Sequence, residues 1–473
     1  MSTSRVRYKP LYLQVKDVLL ERIEDNVYHD GQSIPTEANL SKEFGTSVST
    51  IRQAVTLLVN DGLLIKKQGK GTFVSRHATK LRFFSWILET TRGEKILQEV
   101  IALFEKKHPF ITVECIPASY VRARKQLMAL LMSGDAPDVV QIQSHWTSYF
   151  ASIGAIEHLE PLLDANNLHH RFYEKDLVGG MYQEKLYSVA WGLCPVSMIA
   201  NTRVLREAGI SSLPCPMTFN RLLEICQTLD RFYEGQDKYC YALNASTDQE
   251  SDFLTLYAFL LAFHGSFVNE QGTVVFNSPG NIEGFRWLRN FVNQERVYSS
   301  TIHDIRKRFA RGDIAFITDG PWIKYQLEEY TGEAFEENFE VMLNPVQDAT
   351  MKSCTWNYNH ALAISSQSRY KRQAALFIDE LTNDPEISAT YYSQVGHLPN
   401  NRRHLNDPVY NTPFFNAYKQ QMAYSSCINA QNISFIKAMT FCTDAVKKIL
   451  YNGVDIEQEL DEKEYYLNML YSD

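Results

Sequence analysis

The chain has 473 residues, of which 45% are hydrophobic and 22% charged, with a formal net charge of −8. At roughly 100–200 residues per domain, two or three compact units are expected. The first thirty residues hold no apolar run bounded by a cleavage site, and no later stretch approaches about 18 uninterrupted apolar residues, which argues against export and membrane insertion and for a cytoplasmic protein. The eight cysteines, at 115, 194, 215, 226, 240, 354, 427 and 442, form no CxxC pair. In a reducing compartment they are expected to be buried free thiols. The twelve histidines include His169-His170 but no HExxH spacing, so no metal site is expected.

Charge is unevenly spread: residues 1–80 carry 12 Lys+Arg against 8 Asp+Glu, the remainder 35 against 47. The local basic excess is what contact with a polyanion requires. Three helix-like segments, 11–26, 36–43 and 47–61, run into the basic turn Lys66-Lys67-Gln68-Gly69-Lys70-Gly71-Thr72-Phe73-Val74. In the third, Ile51, Ala54, Val55 and Leu58 fall at i, i+3, i+4 and i+7, so this stripe packs inward while Ser49, Arg52, Gln53 and Thr56 face out. Gly69 and Gly71 give a tight turn between two short strands its backbone freedom, and Lys66, Lys67 and Lys70 place charge beside phosphates. An isolated lysine is ordinarily a solvated surface charge. Its combination here with the helical pattern gives a winged helix-turn-helix, an α+β unit whose third helix enters a major groove.

This segment resembles the GntR family of bacterial repressors. The resemblance rests on Pro10-Leu11-Tyr12, Ile34-Pro35-Thr36-Glu37, Ser47 to Arg52, Asp61-Gly62-Leu63 and Gln68 to Val74. It implies operator DNA as partner, symmetric dimers on half-sites about one helical turn apart, and DNA contacts from Thr36, Ser47, Ser49, Thr50, Arg52, Gln53, Lys67, Gly69, Lys70 and Gly71. Arg52 can meet a phosphate or a guanine edge. Ala38 and Val48 stand where family members commonly carry arginine, so the operator sequence is not carried over.

Residues 8–75 are taken as this head and 76–80 as a short linker, after which an α/β rhythm begins. Leu81 to Trp86 reads as a strand, Glu94 to Lys107 as a helix ending at His108-Pro109, and Phe110 to Glu114 as a second strand. Together these make a βαβ unit with parallel pairing. A helix over about Ala118 to Met132 then ends at Ser133-Gly134-Asp135-Ala136-Pro137-Asp138, before the strand Val139 to Ile142.

Residues 81–473 resemble family 1 extracellular solute-binding proteins of ABC importers, the maltose-binding class. The motifs, in order, are Phe104 to Pro109, Ser133 to Val140, Gly154 to Leu163, Glu184 to Val189, Ala200-Asn201-Thr202, Phe309 to Phe316 leading to Gly320-Pro321-Trp322, and Gly396-His397-Leu398-Pro399. The resemblance implies a two-lobed α/β periplasmic-binding-protein-like fold with hinge crossovers, closing by hinge bending over a ligand. Crossovers are expected near 189–196 and 343–345, with lobe one taking 81–190 plus a later segment and lobe two mainly 195–342.

Aromatics at loop ends, off helical stripes, are candidates for the cleft: Trp86, Trp146, Trp191, Trp322, and Trp356 with Tyr358. Indole stacks on the C–H face of a sugar, and Gln143, His145, Asp319 and Asn357 can bind hydroxyls. Trp322 matches a tryptophan the family uses to stack sugar. Core packing is the alternative for each, and Trp287, inside a helical pattern, is read as core. The combination points to a transcription factor whose solute-binding half senses a metabolite, foremost a mono- or oligosaccharide, with lobe closure as its two-state element.

Three alternatives stay open. One is a GntR head on a pyridoxal-phosphate aminotransferase-like domain, for which Ser368-Arg369-Tyr370-Lys371 lacks the arginine motif that should follow. Another is a glycoside hydrolase, for which no paired carboxylates stand out. The third is a sugar-binding protein with a DNA-silent head. No GxSxG, Walker loop or GxGxxG is present, and neither catalysis nor a cofactor is expected.

Overall fold

The computed structural model describes residues 10–471 except 26, 61, 76–78, 164–167, 169, 173–176, 245–249, 270–271, 358 and 427–431. Its first 75 residues form three helices, α1 (Leu11–Glu24), α2 (Glu37–Glu43) and α3 (Val48–Asn60), and an antiparallel hairpin of β1 (Leu64–Lys67) and β2 (Gly71–Val74). The Thr36 hydroxyl starts α2 by accepting from the Asn39 amide at 3.3 Å, which satisfies one of the amides a helix start leaves open. Ile51, Ala54, Val55 and Leu58 are buried against Val15, Leu19, Ile23 and Leu40. That is the stripe the spacing predicts.

In lobe one, β3 (Thr79–Ser85), β4 (Ile111–Pro117) and β5 (Val139–Gln143) pair in parallel with β3 between the other two. The strand His360–Ile364 then adds antiparallel to β5, and Val189–Ala190 closes the edge. α4 (Thr91–Lys107) covers the sheet and is capped by the Thr90 hydroxyl, which accepts from Gly93 at 3.0 Å. Two boundaries differ from the pattern reading. β3 starts at Thr79, inside the stretch read as linker. α5 (Ala123–Ser133) begins five residues after Ala118, because the Ser119 and Tyr120 amides are engaged by the side chains of Gln126 (2.9 Å) and Glu89 (3.4 Å).

Lobe two is built on a second five-stranded sheet, in the order Val297–Ser300, Tyr239–Asn244, Ile314–Asp319, Ser197–Asn201, Phe339–Met342. The first three strands are parallel, and Ser197–Asn201 runs against both of its neighbours. The chain passes between lobes at 191–196 and again after Met342, as the motif order implies. A third passage was not foreseen. Ser425–Ser426 pairs in parallel with Thr355–Trp356, and the helices Phe435–Tyr451 and Ile456–Tyr471 then return to lobe two. There Phe435, Met439, Cys442, Val446 and Ile449 are buried in its core. Lobe two, expected to span mainly 195–342, therefore includes the last helices as well. Trp287 stacks with Phe291 at 4.9 Å in that core.

The first two passages hold each other, and the third pairs with the second. Pro195 bridges Asn357, the Cys194 amide donates to Asn359 Oδ1 (3.1 Å), and Asn344 Nδ2 donates to the carbonyls of Val196 (2.9 Å) and Cys354 (3.1 Å). The head rests on lobe one: Lys16, Leu20 and Leu63 face Phe110 and Leu376 across a cavity of about 260 Å³. The described cysteines are free, but Cys215 is exposed and Cys115 and Cys354 are half-buried, so the expectation of uniformly buried thiols fails. Cys215 lies on the loop leaving lobe two's short helix Thr202–Glu207, outside the core.

Trp191 carries much of lobe one's core, fully buried and stacked on Tyr391 at 4.1 Å with Phe83 at its edge. Trp191→Ala is expected to destabilise the solute-binding half by about 3–5 kcal/mol, the usual cost of emptying such a site. Chemical denaturation followed by tyrosine fluorescence and far-UV dichroism measures it; a loss below about 1 kcal/mol would show that the stack is not central.

Candidate functional site

Between the lobes lies a small cavity of about 50 Å³, lined by Trp86, Glu89, Tyr120, His303, Arg306, Trp322, Tyr325, Gln326, Tyr330 and His360, among others. Its rings form a continuous wall. Trp86 sets its edge to Tyr120 (6.0 Å) and to His360 (5.1 Å), and Trp322 stacks on His360 at 5.3 Å with 12° between planes. Trp86 is delivered by the turn after β3, and Trp322 by the Gly320-Pro321 turn leaving the strand Ile314–Asp319. His360 opens the first strand beyond the second passage. The Trp322 ring folds back over Gly320, where a Cβ would come within 2.3 Å of it.

An ion pair underlies this wall. Arg306 donates from Nε (2.7 Å) and Nη2 (2.9 Å) to the two oxygens of Asp319, and both residues are buried. Asp319 Oδ1 also accepts from the Gly320 amide (2.8 Å) and from Trp322 Nε1 (2.7 Å). Asp319 therefore fixes the Trp322 ring and compensates Arg306, leaving little acceptor capacity for a solute hydroxyl. Replacing Asp319 by Ala would strand a buried cation, at a cost of about 3–5 kcal/mol.

Burial pushes His360 down to about 3 and His397 well below its usual value, with His360 adding to the shift of His397. His397 sits 4.9 Å from His360 and presents its edge to Trp322 at 6.2 Å. Burial, then Arg306, also holds His303 below its usual value. The cavity histidines are therefore neutral at pH 7.

The lobes are shut in this structure. The helix Ile323–Thr331 lies against α4, with Arg92 paired to Glu328 at 2.7 Å. Gly396, at φ +83°, lets Pro321 approach so closely that a Cβ there would be 2.2 Å from the Pro321 carbonyl oxygen. Sites for whole small-molecule ligands usually measure about 300–1,000 Å³, so a sugar needs the lobes to part. A roomier groove of about 560 Å³ follows the outer edge of lobe two beside Phe339–Met342, but no tryptophan or histidine is among its lining residues.

Of the residues singled out for the cleft, Trp86 and Trp322 line this cavity and Asp319 braces it. Trp146 is buried in lobe one against Trp86 and Phe150, Trp191 is in the core, and Trp356 is buried on the lobe-two side. Gln143, buried, ends β5 in register with His360. His145 packs on Phe435 at 5.8 Å, and Asn357 belongs to the hinge. Tyr358 lies outside the described residues. Tyr120, Arg306, Tyr325, Tyr330, His360 and Glu89 went unseen in the sequence, since none stands in a motif; His397 did, inside Gly396-His397-Leu398-Pro399.

In the head, Ser47, Ser49, Arg52 and Gln53 form an exposed face, as do Lys67, Gly69, Lys70 and Gly71 in the wing, with Thr50 half-buried beside them. Thr36 is occupied as the cap of α2, and the Ser47 hydroxyl lies 2.8 Å from that of Thr50 and accepts from its amide. Lys67 lies over Phe73 at 4.8 Å. Arg52 Nε donates to Glu37 (2.8 Å), which also receives Lys66 (3.0 Å), so one carboxylate ties the third helix to the wing. Burial raises the Glu37 pKa, but hydrogen bonds from Lys66 and Arg52 outweigh it and lower the net value.

Residues 99–418 match the family model for bacterial extracellular solute-binding protein, about two thirds of the chain, and the chain belongs to that family. Residues 11–74 match the model for bacterial regulatory proteins of the gntR family. Neither is an enzyme family. An uncharacterized HTH-type transcriptional regulator YurK of Bacillus subtilis is 27% identical over 197 residues, 38% of this chain and 75% of that protein. A probable fructoselysine utilization operon transcriptional repressor of Escherichia coli is 48% identical over 73 residues, 15% of this chain and 30% of its own length.

Among solved structures, an ABC transporter solute-binding protein from Thermotoga lettingae, bound with alpha-D-tagatose, superposes with TM-score 0.74. It is 18% identical and covers 83% of this chain and 100% of that one. The GacH receptor of Streptomyces glaucescens gives 0.74 at 17% identity, over 84% and 99%. These likenesses establish a two-lobed solute-binding fold. Among the described residues no helix is long and apolar enough to cross a membrane.

Two outcomes are expected from the cleft. Because His360 and His397 stay neutral when folded but take a proton near pH 6.5 when unfolded, their burial stabilises the fold fully above pH 6.5. That contribution falls as pH drops below 6.5, by up to about 1.4 kcal/mol per unit for each histidine, the fall for His360 continuing to about 3. Denaturation midpoints between pH 7 and 4 test this; His360→Phe should flatten the slope, and an unchanged slope would mean His360 is protonated in the fold. Gly396→Ala should wedge Pro321 away and open the lobes, seen as a larger radius of gyration by small-angle X-ray scattering; an unchanged radius would show that the contact does not hold the lobes shut.

Proposed function

We propose that the chain is a cytoplasmic regulator of transcription that binds operator DNA through the winged helix, as a homodimer, and senses a sugar between the lobes of the solute-binding fold without chemically altering it. The observation that carries this reading is the seating of the head. The head rests on lobe one through Lys16, Leu20 and Leu63 and keeps Ser47, Ser49, Arg52 and Gln53 exposed, so an event that moves lobe one also moves the surface read here as DNA-facing. The sugar class is supported by the indole of Trp322 and by the sugar-bound neighbours of this fold. Coverage of 30% of the repressor relative is why its operon is not carried over.

Operator binding supplies the test. Arg52→Ala is expected to weaken DNA binding by about 1–3 kcal/mol while leaving sugar affinity unchanged. Trp322→Ala should do the reverse, costing at least about 1 kcal/mol in sugar affinity. Gel-shift titrations over a salt series and calorimetry measure the two. Equal DNA affinity for Arg52→Ala and the parent would sink the helix assignment, and unchanged sugar affinity for Trp322→Ala would sink the cleft assignment. The pairing of Arg52 with Glu37 favours one second reading, a sugar-binding protein whose head is silent towards DNA. Failure to retain any fragment in a genomic selection with an intact head would favour that reading instead.

A further inference from the structure

Charge and aromatic surface around the cleft narrow the class of solute. The charged groups lining the cavity are Glu89 and Arg306, together with the neutral imidazoles of His303 and His360. Arg306 is compensated: Nε and Nη2 donate to the two carboxylate oxygens of Asp319, and Nη1 donates to the Gln326 carbonyl oxygen (2.9 Å). An anionic solute would have to compete with Asp319 for a buried partner. Glu89 is different. It is exposed at the mouth, held by the Ser119 hydroxyl (3.1 Å) and the Tyr120 amide (3.4 Å), and no cation is paired with it among the described residues. The cavity is thus left with one net negative charge.

The same cavity is lined by Trp86, Tyr120, Trp322, Tyr325 and Tyr330. Aromatic faces attract cations through their quadrupole, and cages of such rings beside a carboxylate are the usual housing of ammonium groups. Neutral hydroxyls gain stacking from the rings but nothing from the net charge, and a phosphate is repelled by it.

We infer that the cleft takes a cationic, amine-bearing solute, an amino sugar or a sugar–amine conjugate, with its ammonium between Glu89 and the aromatic wall and its pyranose face on Trp322. This rests on the solute-sensing reading above and adds the charge of the ligand to it. Phosphorylated sugars are disfavoured by the same arrangement.

The experiment is a calorimetric titration of the full chain with three pyranose scaffolds, gluco, galacto and manno, each as neutral sugar, 2-amino sugar and 6-phosphate, repeated with Glu89→Gln and Tyr330→Leu. For at least one scaffold the amino form is expected to bind roughly tenfold tighter than the neutral form, with the 6-phosphate weakest. Glu89→Gln should bring the affinity of the amino form down to about that of the neutral form on the same scaffold. Tyr330→Leu, half-exposed at the rim, should reduce the preference in part. Binding of neutral or phosphorylated members with no amino preference, or a preference that survives Glu89→Gln, overturns the inference and leaves sugar sensing intact. Silence across all nine sugars overturns both.

Discussion

The side-by-side running of the three interlobe passages constrains everything else in the molecule. Val196, Asn344, Thr355 and Asn359 are cross-linked by side-chain and backbone hydrogen bonds, so the lobes can rotate about this seam but cannot slide along it. Rotation has to break the Arg92–Glu328 pair and to part Gly396 from Pro321, beside the seam where Leu398 pairs with Leu193. The Trp322–His360 stack lies next to the seam, since His360 directly follows Asn359. An aromatic face that a sugar would use is covered by an imidazole in the shut state, so solute and closure compete for the same ring.

Much of the fold was legible because its signals are local. The stripe Ile51, Ala54, Val55, Leu58 can only pack one way in a helix. The alternation of apolar strands with amphipathic helices after residue 80 implies parallel pairing. The two earlier crossovers follow from motif order. What could not be read depends on what arrives from far away in the chain. Trp191 stands at a passage, where an exposed indole is plausible, and is core only because Tyr391 comes from 200 residues later to cover it. Trp146 and Trp356 are buried for the same kind of reason. The third passage was hidden because the C-terminal helices have an apolar face that would suit either lobe.

The cleft itself was half legible. Tryptophan after Gly-Pro is a local cue, and it led to Trp322. The charge balance is not local: Arg306 and Asp319 are thirteen residues apart and on different elements, and only their bidentate contact shows that the arginine is unavailable. In the head, the Glu37 carboxylate is shared by the third helix and the wing. That pairing joins two elements distant in sequence and could not be read from either alone.

Three passages make an odd number, and parity has a geometric result. The winged helix is seated on lobe one, while the helix that ends at Tyr471 belongs to lobe two. The two extremities of the described chain therefore ride on opposite jaws of the molecule, and the distance between them is a ruler for the jaw angle. Dyes placed at these extremities would report opening in real time without touching either the solute or the DNA.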